Sequence, residues 1–229
     1  MLSVDAPVIP LPTDRPRPPT WGRKIATASI RFAAPAEDFD HFLTAVVIVS
    51  ARFAGGEDAV TIAVPADQHY HLLTVRFDDD PAFAELRSHV KAAPRNPVAA
   101  ADLTMRLREL NAVGGKPQVS VLVSANGNPG GTPFDLSWEF SPGEVTLSYN
   151  PSLFDRATIE RLVLGLQTCL KAAQPESPVA TLPLMEDAER HRIVFDLNGT
   201  TTDYPRDRCV HRLFEEHAAR TPDAVALTT

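Results

Sequence analysis

The last quarter of the chain sets the strictest limit on what it can fold into. Met185 to Phe195 carries a short apolar and polar helical pattern, followed by an Asn198-Gly199 turn signal and a threonine-rich extended stretch. Cys209 to Arg220 reads as an amphipathic helix, with Val210, Leu213, Phe214 and Ala218 on one face and Glu215, Glu216 and Arg220 elsewhere. Thr221-Pro222 ends that helix, and Asp223 to Thr228 reads as a strand. One helix and one strand cannot bury enough surface to stand as a domain. The segment from Leu182 to Thr229 therefore reads as the opening of a further folding unit, and the core must be built from the residues before it.

Those residues alternate between strand and helix signals. A proline-rich stretch, LPTDRPRPPT at Leu11 to Thr20, cannot be regular helix, and Lys24 to Phe32 reads as a strand. Pro35 to Phe53 reads as a helix, with proline in its first turn, Glu37 and Asp38 at its positive end and Gly55-Gly56 as its stop. The run Val46, Val47, Ile48, Val49 predicts burial on nearly all sides. Strands are predicted at Ala59 to Val64 and Leu72 to Phe77, then helices at Pro81 to Ala92 and Val98 to Asn111, separated by the breakers Pro94 and Pro97. Strands follow at Gln118 to Ala125, Phe134 to Phe140 and Glu144 to Tyr149, the last two joined by the turn Ser141-Pro142-Gly143. Asp155 is expected to cap a helix from Arg156 to Ala173 whose apolar face is Ile159, Leu162, Val163, Leu166 and Leu170. The order predicts an α/β fold, a mixed sheet covered by helices.

Composition narrows the function classes. A 44% hydrophobic content over 229 residues is ample for a core. The net charge of −7 argues against nonspecific nucleic-acid binding, which depends on phosphate neutralisation. The longest apolar run, Ala45 to Val49, is too short to span a bilayer, and MLSVDAPVIP lacks the pattern of a signal peptide, so a cytoplasmic location is expected. Cys169 and Cys209 fall in helices of different units, which favours reduced structural thiols over a disulfide.

The chemical candidates are few. His69 and His71 lie two apart on a strand and point the same way, but no third ligand is placed beside them, so they read as surface or packing histidines. NGNPGG, Asn126 to Gly131, lacks the Lys-Ser/Thr ending of a phosphate loop and reads as a hairpin loop. The acidic run Asp78 to Asp80 precedes the helix near Pro81, where capping explains it better than metal binding. No catalytic, cofactor-binding or metal residue is assigned.

Three blocks in order, LPLMEDAERHRI, LNGTTTDYPRD and VHRLFEEHAARTPDAVAL, closely resemble the linker and opening segment that join a condensation domain to an adenylation domain in non-ribosomal peptide synthetases. Further blocks resemble the second, C-terminal lobe of the condensation domain: LPTDRPRPPT, ARFAGGEDAVTIAVPA, DDDPAFAELRSHV, TPFDLSWEF and GEVTLSYNPSLFDRATIERL. The resemblance implies a single chloramphenicol-acetyltransferase-like lobe over 1–180, an interdomain linker over 181–208 and the start of an adenylation domain over 209–229. It implies interface or linker roles for Leu182, Pro183, Leu184, Leu197, Asn198, Tyr204, Pro205, Leu213 and Phe214.

The family carries its reaction histidine in an HHxxxDG motif on the first lobe. The histidines here, at 41, 69, 71, 89, 191, 211 and 217, include no adjacent pair and none followed by xxxDG. One lobe also supplies half of the cleft that a general base needs. The resemblance thus implies a non-catalytic partial domain of an initiation module, a platform for its adenylation domain. It implies no cofactor in this fragment, while a parent synthetase would use ATP, magnesium and a phosphopantetheine carrier. An alternative is a recognition module that docks a carrier protein or a neighbouring synthetase subunit in trans through Arg15, Arg17, Arg23 and Lys24; a split enzyme completed by a separate first lobe is a third. The chain departs from the family at PADQHYH, where a long excursion is expected towards the first lobe, and at Lys91 to Leu107, which lacks a QDxPFE-like block. Those losses suggest a lobe adapted to standing alone.

Overall fold

The computed structural model describes residues 11–17, 27–56, 58–77, 79–112, 119–125, 134–203 and 207–225. Contacts divide the chain into two units, Met1–Glu186 and Asp187–Thr229. The first is built on a mixed sheet of β1 (Ala28–Phe32), β2 (Ala59–Ala66), β3 (His69–Arg76), β4 (Arg95–Ala99), β5 (Val121–Ala125), β6 (Leu136–Ser141) and β7 (Glu144–Tyr149), in the order β1-β7-β6-β5-β2-β3-β4. The pairs β2/β5 and β5/β6 are parallel and the rest antiparallel. Helices α1 (Phe39–Phe53), α2 (Phe83–Ala92), α3 (Ala100–Ala112) and α4 (Arg156–Ala172) complete the unit.

The strand patterns explain how the helices are shared. In β6 and β7 the residues Leu136, Trp138, Phe140, Val145, Leu147 and Tyr149 alternate with polar side chains and enter one core with α1, α2 and α4. In β2 and β3 both faces are apolar: Ile62 and Leu73 join that core, while Ala63, Tyr70 and Leu72 join a second cluster with Leu103 and Leu107 of α3. Both faces of the sheet centre are therefore dry, which is why β2 reads as a nearly continuous apolar run.

Helix α1 is buried at every position from His41 to Ala51, as the β-branched run predicted. It starts at Phe39 rather than Pro35, because Asp38 is extended (φ −153°) and its carboxylate accepts the His41 amide at 2.8 Å. Gly55 and Gly56 end it at φ +114° and +84°, as expected of glycines past a helix terminus.

Other boundaries are corrected by specific contacts. β1 begins at Ala28, and residues 24–26 lie outside the described residues, as do 113–118 before β5 and the Asn126 to Gly131 loop. β4 was not predicted at all: Pro94 and Pro97 read as breakers, yet Pro97 sits on an edge strand opposite His71, where no second neighbour requires its amide. β2 and β3 are joined by the two-residue turn Asp67-Gln68, with Asp67 at φ +50°, so β3 starts at His69. The Pro142-Gly143 turn forms as predicted, Gly143 taking φ +82°.

Asp155 occupies the position before α4 but makes no side-chain cap bond, contrary to expectation. Its carboxylate instead holds Arg15, while Asp14 accepts from the Asp155 amide (2.7 Å) and from the Thr158 hydroxyl (2.9 Å). The side chains that serve this helix start thus come from a segment 140 residues upstream.

In the second unit, α5 (Asp187–His191) runs into a π-helical turn (Arg192–Asp196), and α6 covers Val210–Arg220. The Asn198 side-chain amide donates to the carbonyls of Ile193 (3.0 Å) and Val194 (2.9 Å), closing the first helical stretch. Pro222 to Ala224 form turns, and residues 226–228 of the predicted final strand lie outside the described residues.

Two measurable consequences follow from α4. Cys169 is fully buried, and burial pushes its thiol up to about 11, whereas Cys209 is exposed. At pH ~8 one thiol per chain should react rapidly with Ellman's reagent, and Cys169 only as fast as the lobe opens; two fast thiols would contradict this packing. Gly165 is buried against the chain at Leu184, whose carbonyl would lie 3.0 Å from an added Cβ. Gly165→Ala should be close to neutral in urea unfolding, a helix-propensity gain of about 1 kcal/mol being offset by that contact. Gly165→Leu should cost about 1–3 kcal/mol by overpacking, and an unchanged midpoint would refute the close approach.

Candidate functional site

The most elaborated surface of the lobe is where its chain leaves it. After α4, Pro175 to Leu184 crosses back over the start of α2 as a strap. The Ala84 amide donates to the Pro175 carbonyl (3.0 Å), Phe83 to Ser177 (2.9 Å), and Val179 to Pro81 (3.0 Å). Asp80 accepts the Ala180 amide at 2.7 Å. The expected capping role of Asp78 to Asp80 is therefore corrected: α2 begins at Phe83 behind Ala82, which has no side-chain cap, and Asp80 holds the strap instead. Asp78 lies outside the described residues. Pro81 and Ala82 are drawn out of the predicted helix because their backbone pairs with Pro178 and Val179.

Arg52, in the last turn of α1, fixes the far side. Its guanidinium donates to the carbonyls of Val179 and Leu182, two acceptors that a planar fork satisfies together. Val179 and Leu182 are buried beneath this fork. Open hollows lie on either side of it. One, of about 230 Å³, is lined by Ile48, Gly56, Phe77, Asp80 and Val179; the other, of about 190 Å³, by Val49, Phe53, Arg161, Leu162 and Leu184.

The beginning of the described chain is held just as firmly. Leu11 enters the core, Arg15 donates to Asp155 and to the Pro151 carbonyl, and Arg17 makes a two-pronged pair with Asp135 at 2.9 and 2.6 Å. The Arg17–Asp135 pair is largely buried, with side chains 12% and 2% exposed. Of the suggested basic docking cluster, Arg15 and Arg17 pair with carboxylates of their own lobe, Arg15 with its side chain 48% exposed, and Arg23 and Lys24 lie outside the described residues.

The residues named as interface or linker fall into distinct environments. Leu182 is core, Leu184 is partly buried against α4, and Pro183 is exposed. In the second unit Leu197 and Asn198 follow the π-helical turn, Leu213 is half-buried and Phe214 is 64% exposed on α6, and Tyr204 and Pro205 lie outside the described residues. One guanidinium nitrogen of Arg208 donates to both carboxylate oxygens of Glu216 at 2.9 Å and ties the start of α6 to its second turn. Arg52, Asp14 and Gly165 were not singled out from sequence. Arg52 carried one signal, a basic residue in the last turn before Gly-Gly, and Gly165 another, an isolated glycine within a helical pattern.

The histidines are dispersed. His41 is buried, and burial holds its imidazole below the usual histidine range. His69 is exposed and His71 partly buried on β3, while His89, His191, His211 and His217 are exposed. Among the described residues no three His, Cys, Asp or Glu side chains form a group able to hold a metal. No described helix is long and apolar enough to cross a membrane.

No protein-family model matches the chain. Among curated proteins it is similar to one of the linear gramicidin synthase proteins of Brevibacillus parabrevis, 43% identical over 99 residues, or 41% of this chain. Another protein of the same synthase is 25% identical over 283 residues that take in 99% of this chain. The chain spans only 1% and 6% of those two proteins. Among solved structures, a four-domain nonribosomal peptide synthetase bound to AMP and glycine matches 95% of this chain with a TM-score of 0.65 at 18% identity, over 22% of its own length. The X-domain in its complex with OxyB from teicoplanin biosynthesis matches 77% of this chain with a TM-score of 0.55 at 20% identity, over 52% of its own length. With its mixed seven-stranded sheet in the chloramphenicol-acetyltransferase-like arrangement, the chain is a homologue of non-ribosomal peptide synthetase segments and carries a condensation-domain fold.

Proposed function

We propose that this chain is a non-catalytic condensation-type lobe that serves as a platform for the adenylation domain of a non-ribosomal peptide synthetase. In this reading 1–180 is the lobe, 181–208 the linker and 209–229 the start of the adenylation domain. The carrying observation is the strap: backbone hydrogen bonds to Pro81, Phe83 and Ala84, the Asp80 carboxylate and the Arg52 fork hold the chain's exit as part of the core. A reaction centre needs no such device, whereas a domain that must present its successor in one orientation does. ATP, magnesium and a phosphopantetheine carrier would serve the parent synthetase rather than this lobe, and the lobe's partner is the adenylation domain in cis.

The lack of an HHxxxDG histidine in the sequence, and the burial of His41, support the non-catalytic part of the reading. A second reading, a recognition module for a protein in trans, is favoured by the similar X-domain having been seen in complex with OxyB. Titration with carrier proteins by calorimetry separates it from pure scaffolding.

The test is a parent module with and without residues 1–186. Removal should lower the module's thermal midpoint and its rate of loading a carrier, and Arg52→Met together with Asp80→Ala should reproduce part of the loading defect with the adenylation chemistry itself unchanged. Equal stability and equal loading after removal would contradict the platform reading. Amide formation by the 229-residue chain alone, given an aminoacyl thioester and an acceptor amine, would contradict the non-catalytic one.

A further inference from the structure

His41 is placed unusually for a histidine. It stands in the first turn of α1, its side chain 7% exposed, with its ring against Phe83 at 5.1 Å between centroids. Nδ1 accepts the Glu37 backbone amide at 3.3 Å, and Nε2 is buried without a hydrogen-bond partner among the described residues. An accepting Nδ1 puts the single proton of the neutral ring on Nε2. The Glu37 carboxylate is 3.8 Å from Nδ1 and is also held by Arg87 of α2 at 3.3 Å; Arg87 reaches Asp38 as well, at 2.7 Å. The charged groups acting on the ring are thus Glu37 and Asp38 from the start of α1 and Arg87 from α2. Phe83, the residue it packs on, is the first of α2 and donates its amide to Ser177 of the strap.

We propose that His41 is a pH-operated coupling between α2 and the exit strap. A proton taken from solvent onto Nδ1 ends its bond to the Glu37 amide and turns the nitrogen into a donor. The nearest acceptor is the Glu37 carboxylate, which is then shared away from Arg87. The charged ring also sits in a dry pocket at the positive end of a helix, both unfavourable. Relief comes from moving α2 away at Phe83, and that movement pulls on the Phe83–Ser177 and Ala84–Pro175 bonds. Acid therefore loosens the hold of the lobe on its own exit, whatever follows that exit in the chain.

The direction in pH is fixed by the protonation states. Burial above all, with Arg87 adding to it, keeps His41 below its ordinary value in the folded chain, so the unfolded or loosened state binds the proton more readily. Stability at this contact is full above the ordinary histidine range, falls as pH drops through about 6.5, and levels off once the folded ring is charged. Asp38 answers in a different window. The His41 amide and Arg87 hold its carboxyl below the ordinary value, so its contribution is lost only as pH falls below about 4.

The experiment is an NMR titration of the 229-residue chain from pH ~8 to ~5, following the His41 ring protons together with the amides of Phe83, Ala84 and Val179. The ring and those amides should titrate with one midpoint below the ordinary histidine value. Their exchange, corrected for intrinsic rates, should accelerate by up to about tenfold per pH unit. Glu37→Gln, which removes the carboxylate that favours the charged ring, should move that midpoint to lower pH. His41→Phe should abolish the response of the amides. A His41 that titrates with the three amides unmoved, a His41 that stays neutral until global acid unfolding, or an amide response that survives in His41→Phe would each overturn the proposal.

Discussion

The lobe is organised by the all-round burial of one helix. From Phe42 to Val49 the side chains of α1 are at most 2% exposed, in a run dominated by valine, isoleucine, leucine and phenylalanine. Each such side chain favours burial by about 1.5–3 kcal/mol, so a helix that is apolar on all sides must be enclosed by separate elements. Here the sheet lies beneath it, with Phe42 stacked on Phe140 at 5.1 Å, while α2 and α4 flank it. Burial leaves only the two ends of α1 able to carry charge. The Arg87 bridge to Glu37 and Asp38 serves the first end, and Arg52 serves the second. Both ends are consequently places where separate segments of chain are joined, and both joints bear on the strap.

This arrangement explains how a chain segment with so few reactive groups can still be highly built. Polar contacts that span long stretches of sequence, Arg15 to Asp155, Arg17 to Asp135, Asp80 to Ala180 and Arg52 to Leu182, all clamp the two ends of the lobe to its middle. The buried Arg17–Asp135 pair specifies where the incoming segment sits more than it stabilises, since desolvating both charges offsets much of their attraction. A fold whose charged residues fix entrance and exit is suited to transmitting orientation along a chain, which is the role proposed for it beside an adenylation domain.

The sequence disclosed what depends on local pattern. The β-branched run predicted the buried helix, Pro142-Gly143 predicted its hairpin, and the apolar face of α4 was read at its correct positions. The three blocks after Leu182 carried the family resemblance. What stayed hidden depends on contacts between distant residues. Pro97 looked like a breaker because an edge strand cannot be recognised before its neighbours are known. Asp155 and Asp80 looked like helix caps because their sequence positions suit that role, and only the folded chain shows them claimed by Arg15 and Ala180. The partners of Arg52 lie 127 and 130 residues away, so no local pattern could identify them.

The central claim is that the exit strap belongs to the lobe's core rather than lying on its surface. Native-state hydrogen exchange in graded urea, at about pH 7.5 where histidine is neutral, measures this directly. The amides of Phe83, Val179 and Ala180 should open only in the same cooperative event as those of Ile48 and Trp138, with the same denaturant dependence. Strap amides that exchange through a separate, low-energy opening insensitive to urea, while α1 and β6 stay closed, would contradict the account.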